Sequence, residues 1–251
     1  MRATEQLVLP EGKAPAGELA RYKRFLKHEA ARLKKLHRSS GLGREVCMAR
    51  AAVIDALLQH LLRTAIGLAP LGKFKKVPSL AVIALGGYGR GELNPHSDID
   101  IQFLCEDRLL NGAKPHDCLK SVTDAVLYTL WDVGLKIGHS VRRVRDCVEE
   151  ANKDMQSKTA LIEARCVTGD EALFKKMEKV VHAKCVKPYI DEYIVARLED
   201  QASRHARHGN AVTMQEPDIK NGCGGLRDYQ NLCWLMHFKL GYRSVEDLEG
   251  Q

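Results

Sequence analysis

Asp98 and Asp100 follow a Gly86-Gly87 pair, with ten residues between Gly87 and the first acid. The apolar run Leu80–Leu85 leads into the glycines, and Ile101-Gln102-Phe103-Leu104 follows the acids. On a strand, residues i and i+2 share a face, so the two carboxylates point the same way. Glycines at a strand end let backbone N–H groups approach phosphate oxygens. Arg90 and Ser97 add a positive charge and a hydroxyl donor to the same segment. Two carboxylates beside such a turn suit Mg²⁺, which takes a few carboxylates together with water and phosphate oxygens. The reaction this set would serve is in-line attack on the α-phosphorus of a nucleoside triphosphate. Two Mg²⁺ ions roughly 3.5–4 Å apart can stabilise the attacking and leaving oxygens together. A glycine turn alone, or an Asp-x-Asp pair alone, is common in solvated strand ends. Strand, turn, paired acids and second strand in succession point to a site.

A second glycine-rich passage runs Glu216-Pro217-Asp218-Ile219-Lys220-Asn221-Gly222-Cys223-Gly224-Gly225-Leu226-Arg227-Asp228. Its glycines precede a helix, which would leave their N–H groups bare, and Lys220 and Arg227 flank them. That arrangement favours an anion, such as a triphosphate or the charge of a transition state. The same residues would also make a plain loop with both cations in solvent.

The elements that must position these residues follow from periodicity and breakers. Tyr22, Leu26, Ala30, Leu33 and Leu36 recur near helical spacing over 17–38, within a run of Lys and Arg that reads as a solvated helix face. Ser39–Gly43 breaks that helix, and a second runs through 49–68. Strands are expected at 80–85, 98–105 and 136–142, with a helix over 116–133. Further helices are expected at 157–168 and 171–208, the latter broken at Pro188, and a last one at 225–240. Residues 1–15, with Pro10, Gly12 and Pro15, read as a loose lead-in. The reading is an α/β (α+β) chain with a small mixed sheet flanked by helices and a mostly helical region after it. It divides into 1–70, a helical segment; 71–170, the catalytic core; and 171–251, a helical region with the second glycine motif.

The chain of 251 residues carries a net charge of +7 and eight cysteines without a CxxC pair. Such cysteines read as reduced thiols and core filler, which points to the cytoplasm. No apolar run reaches membrane-span length, and no h-region follows Met1, so neither membrane nor leader is expected. The basic residues lack interleaved aromatics, so no nucleic-acid partner is expected. His116-Asp117 reads as a helix start rather than a metal site. His205 and His208 read as solvent-facing, and Trp131 and Trp234 as core anchors.

The Gly-Gly to Asp-x-Asp pattern resembles the signature of the DNA polymerase beta-like nucleotidyltransferase superfamily. The fuller string Gly86–Leu93 with His96–Asp100 resembles the amino-terminal domain of bacterial PII uridylyltransferase/uridylyl-removing enzymes. Leu130–Arg142, Thr159–Arg165 and Glu216–Asp228 carry the same likeness, which extends over about residues 45–250. Adenylyltransferases acting on glutamine synthetase carry related motifs. The resemblance implies Mg²⁺ held by Asp98 and Asp100, and a nucleotide bound by Gly86, Gly87, Arg90, Ser97, Lys220, Gly224, Gly225 and Arg227. It implies transfer of UMP from UTP to a tyrosine of a PII nitrogen-regulatory protein. Alternatives are transfer of AMP or another nucleotide to a different acceptor, or a silent module that binds nucleotide or PII. The superfamily usually supplies a third acid from a neighbouring strand, but 136–142 contains none. Asp154 is the favoured candidate for it, with Glu163 the other. The family's enzymes continue into HD and ACT domains beyond these motifs. Neither uridylyl removal nor a glutamine response is expected from these residues alone.

Overall fold

The computed structural model describes residues 7–9, 13–70, 72, 74, 78–111 and 114–242. Much of the lead-in over 1–15 therefore lies outside the described residues. Helix α1 (Leu19–Ser40) buries Tyr22, Phe25, Glu29 and Leu33, while its lysines face solvent. Gly41, with φ +68°, ends it by donating its N–H to the carbonyl of His37. Helix α2 (Gly43–Leu68) is long and apolar enough to cross a membrane by length and composition, alone among the described helices. Its Leu57, Leu58, Leu61 and Leu62 are spent on the interior of the protein.

Four strands, β1 (Leu80–Ala84), β2 (Ile99–Cys105), β3 (Ile137–Arg142) and β4 (Arg165–Gly169), form one sheet in the order β3-β2-β1-β4. β1 runs antiparallel to both β2 and β4. β2 and β3 are parallel, with Asp100 opposite Gly138, which requires a crossover connection. The long helix 117–132 supplies it. Residue alternation then sorts the two faces of β2. Ile99, Ile101 and Phe103 join a large core with Leu57 and Leu61 of α2, Tyr22 and Phe25 of α1, and Leu119, Val126 and Leu130 of the crossover helix. Leu104, with Ala81 and Ile83 of β1, faces Cys147, Ala151, Leu161, Phe174 and Met177. Asp100 and Gln102 share that second face.

Following the short turn helix α3 (Gly86–Gly89) and the crossover helix α4 (Asp117–Asp132), the second face is covered by α5 (Val144–Lys153), α6 (Met155–Ile162) and α7 (Glu171–Val181). Helices α8 (Ile190–Arg207) and α9 (Leu226–Leu240) form a hairpin around Val186, Tyr193, Trp234 and Phe238, docked on Met155 and Ile162 of α6. The rings of Tyr193 and Phe238 stack at 3.5 Å. The mixed sheet between helices agrees with the fold expected from sequence.

Local differences have identifiable causes. Residues 157–168 are not one helix: α6 ends at Ile162 and β4 follows at Arg165. Helix α5 was not anticipated, since Cys147 and Ala151 are its buried residues and charge dominates the rest. The helices of 1–70 share one core with the sheet. Trp131 is 40% exposed and is no core anchor, whereas Trp234 is buried. His116 caps α4 by accepting the N–H of Cys118 at 3.1 Å.

Candidate active site

The glycine turn is a single helical turn set on the end of β1. Gly86 has φ +55°, a conformation glycine adopts without strain. A Cβ at Gly89 would lie 2.3 Å from the carbonyl oxygen of Glu163, so glycine also permits the close approach of the α6–β4 connection. The N–H groups of Gly86 and Gly87 fall in the first turn of α3 and have no acceptor within that helix. Tyr88 fastens the turn from behind. Its hydroxyl donates to Asp55 Oδ1 of α2 at 2.6 Å, and Arg165 of β4 grips the same carboxylate at 2.9 and 3.0 Å. Burial first, and then the Asp55 charge, raise the Tyr88 pKa and keep the phenol protonated.

Asp98 lies just ahead of β2, and Asp100 lies on it; both are exposed. Burial and then the neighbouring Asp98 raise the Asp100 pKa. The Asp100 carbonyl accepts the N–H of Leu85 at 3.0 Å, joining the acid strand to the glycine turn. Opposite Asp100, a Cβ on Gly138 would stand 2.2 Å from Asp100 Oδ1, so the carboxylate rests in the space glycine leaves on β3. The connecting loop is tied to α2. Arg50 donates to the carbonyl of Asn94, Cys47 Sγ donates to Asn94 Oδ1 at 3.1 Å, and Arg44 meets Glu92 at 3.5 Å. Ser97 is exposed in this loop, with its N–H on the carbonyl of Asn94.

No group of three potential metal-ligating His, Cys, Asp or Glu side chains occurs among the described residues. Asp154 is the N-cap of α6, where its carboxylate accepts the N–H of Ser157 at 2.6 Å. That backbone bond lowers its pKa. The other candidate acid, Glu163, is nearly buried, and its Oε1 accepts from Arg90 Nη1 and Trp234 Nε1, each at 2.5 Å. Glu163 therefore links the first glycine motif to α9.

Around that link the structure gathers arginines from distant parts of the chain. Arg197 and Arg227 lie over the Trp234 ring at 4.3 and 5.3 Å. Burial, then Arg197 and Arg90, lower the Arg227 pKa, so these cations feel one another. Arg204 pairs with Asp228 at 2.5 Å, and His205 reaches the same carboxylate at 2.9 Å. His205 is thus a hydrogen-bond partner of Asp228 rather than a solvent-facing side chain. Arg90 and Arg227, widely separated in sequence, belong to one electrostatic neighbourhood.

The second glycine motif behaves differently from the sequence expectation. Its N–H groups are used internally: Gly222 donates to the Asp218 carbonyl, Gly225 to the Gly222 carbonyl and Gly224 to Asp228 Oδ2 at 2.7 Å. The backbone donors expected to be bare already have acceptors, two of them carbonyls and one a carboxylate. Lys220 is exposed, and its N–H donates to Asp218 Oδ1. Beside the motif, a cavity of about 340 Å³ opens between Gly89, Arg90, Glu163 and Arg165 on one side and Leu226, Gln230, Cys233 and Trp234 of α9 on the other.

A mixed sheet flanked by helices, with a Gly-Gly turn on one strand and paired aspartates at the start of the next, defines a nucleotidyltransferase-like fold. Comparison with known proteins narrows the class. Residues 192–251 match the family described as GlnD PII-uridylyltransferase, and residues 20–129 match glutamate-ammonia ligase adenylyltransferase. Bifunctional uridylyltransferase/uridylyl-removing enzymes of Cereibacter sphaeroides and Azospirillum brasilense are each 38% identical to this chain, over 76% and 68% of it. That of Rhodopseudomonas palustris is 36% identical over 67%. The aligned parts cover 20%, 18% and 18% of these relatives, so the chain spans about a fifth of their length. The chain is similar to a GlnD-type region of these enzymes, and nucleotidyl transfer is the activity class that both matched families share.

Proposed function

We propose that the chain transfers UMP from UTP to a tyrosine hydroxyl of a PII-type nitrogen-regulatory protein in the cytoplasm, releasing pyrophosphate. The observation that carries the reading is the bond from the Leu85 N–H to the Asp100 carbonyl, which sets the acid-bearing strand beside the glycine turn. Arg90 of that turn lies within electrostatic reach of Arg227 of the distant second motif. The donor set fits Mg²⁺: two solvent-exposed carboxylates one residue apart, near enough that the Asp98 charge adds to burial in raising the Asp100 pKa. When bound, Mg²⁺ neutralises triphosphate charge and polarises the α-phosphate.

The residues divide the work. Asp98 and Asp100 hold the metal. The first-turn N–H groups of Gly86 and Gly87 meet phosphate oxygens, and Ser97 offers a hydroxyl from the adjoining loop. Arg90 and Arg227, with the exposed Lys220 of the second motif, supply positive charge to meet the negative charge that builds up in the transition state. Gly224 and Gly225 contribute by shaping the start of α9 beneath Arg227. The phenolic oxygen of the acceptor attacks the α-phosphorus and gives its proton to solvent water, and the bond to the pyrophosphate oxygen breaks as pyrophosphate leaves. No third carboxylate is assigned; Asp154 serves α6 as a cap.

Adenylyl transfer is the second reading, favoured by the match of residues 20–129 to an adenylyltransferase family. Incubating the protein and Mg²⁺ with each α-labelled nucleoside triphosphate and a PII protein separates the two. Label from UTP on the PII protein is the expected outcome. Label from ATP alone favours the second reading, and nucleotide binding without any transfer favours a silent binding module.

A further inference from the structure

The cavity between the glycine turn and α9 contains an amide that the protein itself does not use. Gln230 is 7% exposed and lines the cavity, and its side-chain amide has no hydrogen-bond partner among the described residues. The amide is not sealed from solvent, so its donor and acceptor stand open to a ligand entering the cavity. Of the other polar groups on the cavity wall, Glu163 is held by Arg90 and Trp234, and two nitrogens of Arg165 by Asp55, while Arg44, Glu92, Tyr229 and His237 complete the polar lining. Leu226 and Trp234 of α9 and Ile162 of α6 add apolar surface, so the Gln230 amide faces a slot of mixed lining. The volume of about 340 Å³ lies in the range of roughly 300–1,000 Å³ typical of small-molecule sites.

We propose that this cavity takes the heterocyclic base of the nucleoside triphosphate and that Gln230 reads its edge. The amide oxygen accepts the ring N–H, and the amide NH₂ donates to the adjacent carbonyl, which is the pattern of a uracil imide. The placement rests on the nucleotide reading above. Asp98 and Asp100 do not line the cavity, whereas Arg90 does and also belongs to the arginine group. Asp100 faces the side of the sheet on which α6 carries the α8–α9 hairpin. A ligand joining the aspartates to the cavity is therefore extended, with its phosphates toward the acids and its base against α9.

Calorimetric titration of the whole chain with UTP and with inorganic tripolyphosphate, in Mg²⁺, tests this for the wild type and Gln230→Leu. UTP affinity is expected to fall about tenfold in the variant, with tripolyphosphate binding unchanged. Equal UTP affinities in the two proteins overturn the base site and leave the nucleotide reading standing. Failure of the wild type to bind UTP overturns both. Alkylation supplies a measurement on the unaltered protein, since Cys233 lines the same cavity and is in no disulfide. UTP is expected to slow maleimide modification of Cys233, mapped by mass spectrometry, and tripolyphosphate to leave it unaffected. Equal effects of the two ligands, or none from either, contradict the proposal.

Discussion

Two glycines and two acids set the tolerance of the site at the residue scale. Gly138 leaves the volume that the Asp100 carboxylate occupies, so a methyl group there displaces the acid without touching a core residue. Gly138→Ala is expected to lower the transfer rate by about tenfold to a hundredfold, the usual consequence of misplacing a reacting group by about 1 Å. Its melting temperature should stay close to that of the wild type. A large loss of stability with normal specific activity in the folded fraction would sink this account of Gly138. Gly89 is constrained differently, because the obstacle there is the Glu163 backbone rather than a movable side chain. The acids and the Gly-Gly pair are legible in sequence, since strand alternation and spacing alone put them together. The Asp55–Tyr88–Arg165 brace is not legible, because Asp55 stands in a long apolar helical run and finds its partners only in three dimensions.

Elements decide whether the arginines meet. Helix α9 brings Trp234 and Arg227 to Glu163 and Arg90, and Asp228 secures α9 to α8 through Arg204 and His205. Burial alone would raise the Asp228 pKa, but the hydrogen bonds from Arg204, His205 and Gly224 outweigh it and lower the pKa overall. A carboxylate with a lowered folded-state pKa stabilises the fold above its unfolded value of about 3.9. That contribution is lost as the pH falls through the lower folded value. The α8–α9 hairpin should therefore loosen in acid, seen as a change in Trp234 emission in a Trp131→Phe background. Asp228→Asn should weaken the hairpin at neutral pH by on the order of 2 kcal/mol, the scale of hydrogen bonds to a charged group. A variant whose acid transition and stability both match the wild type would rule out this role for Asp228. The long amphipathic helices were readable because apolar residues recur along one face. Helix α5 and strand β4 were not: α5 buries Cys147 and Ala151 amid charge, and β4 is a five-residue edge strand with Val167 as its buried residue.

The whole molecule is a sheet with a helical layer on each face, and the site sits where the sheet's turn meets the last helical hairpin. One face carries the large core shared with α1, α2 and α4, which holds Tyr88 of the glycine turn and Ile99, Ile101 and Phe103 of β2 in the interior. The other face carries α5–α7 and, through α6, the hairpin that brings in Arg227 and Gln230. Sequence places both glycine motifs on the chain, but the pairing of Arg90 with Glu163 depends on how α9 docks, which no local pattern encodes. It also could not foretell that Asp218 and Asp228 would occupy the second motif's loop. The nucleotidyl-transfer account is tested most directly by the rate of UMP transfer from UTP to a PII protein in Mg²⁺, compared among wild type, Asp98→Asn and Asp100→Asn. Each substitution should slow transfer by at least about a hundredfold, the scale of losing one charge-stabilising group, while each protein remains folded. Transfer at the wild-type rate in both variants would contradict the account.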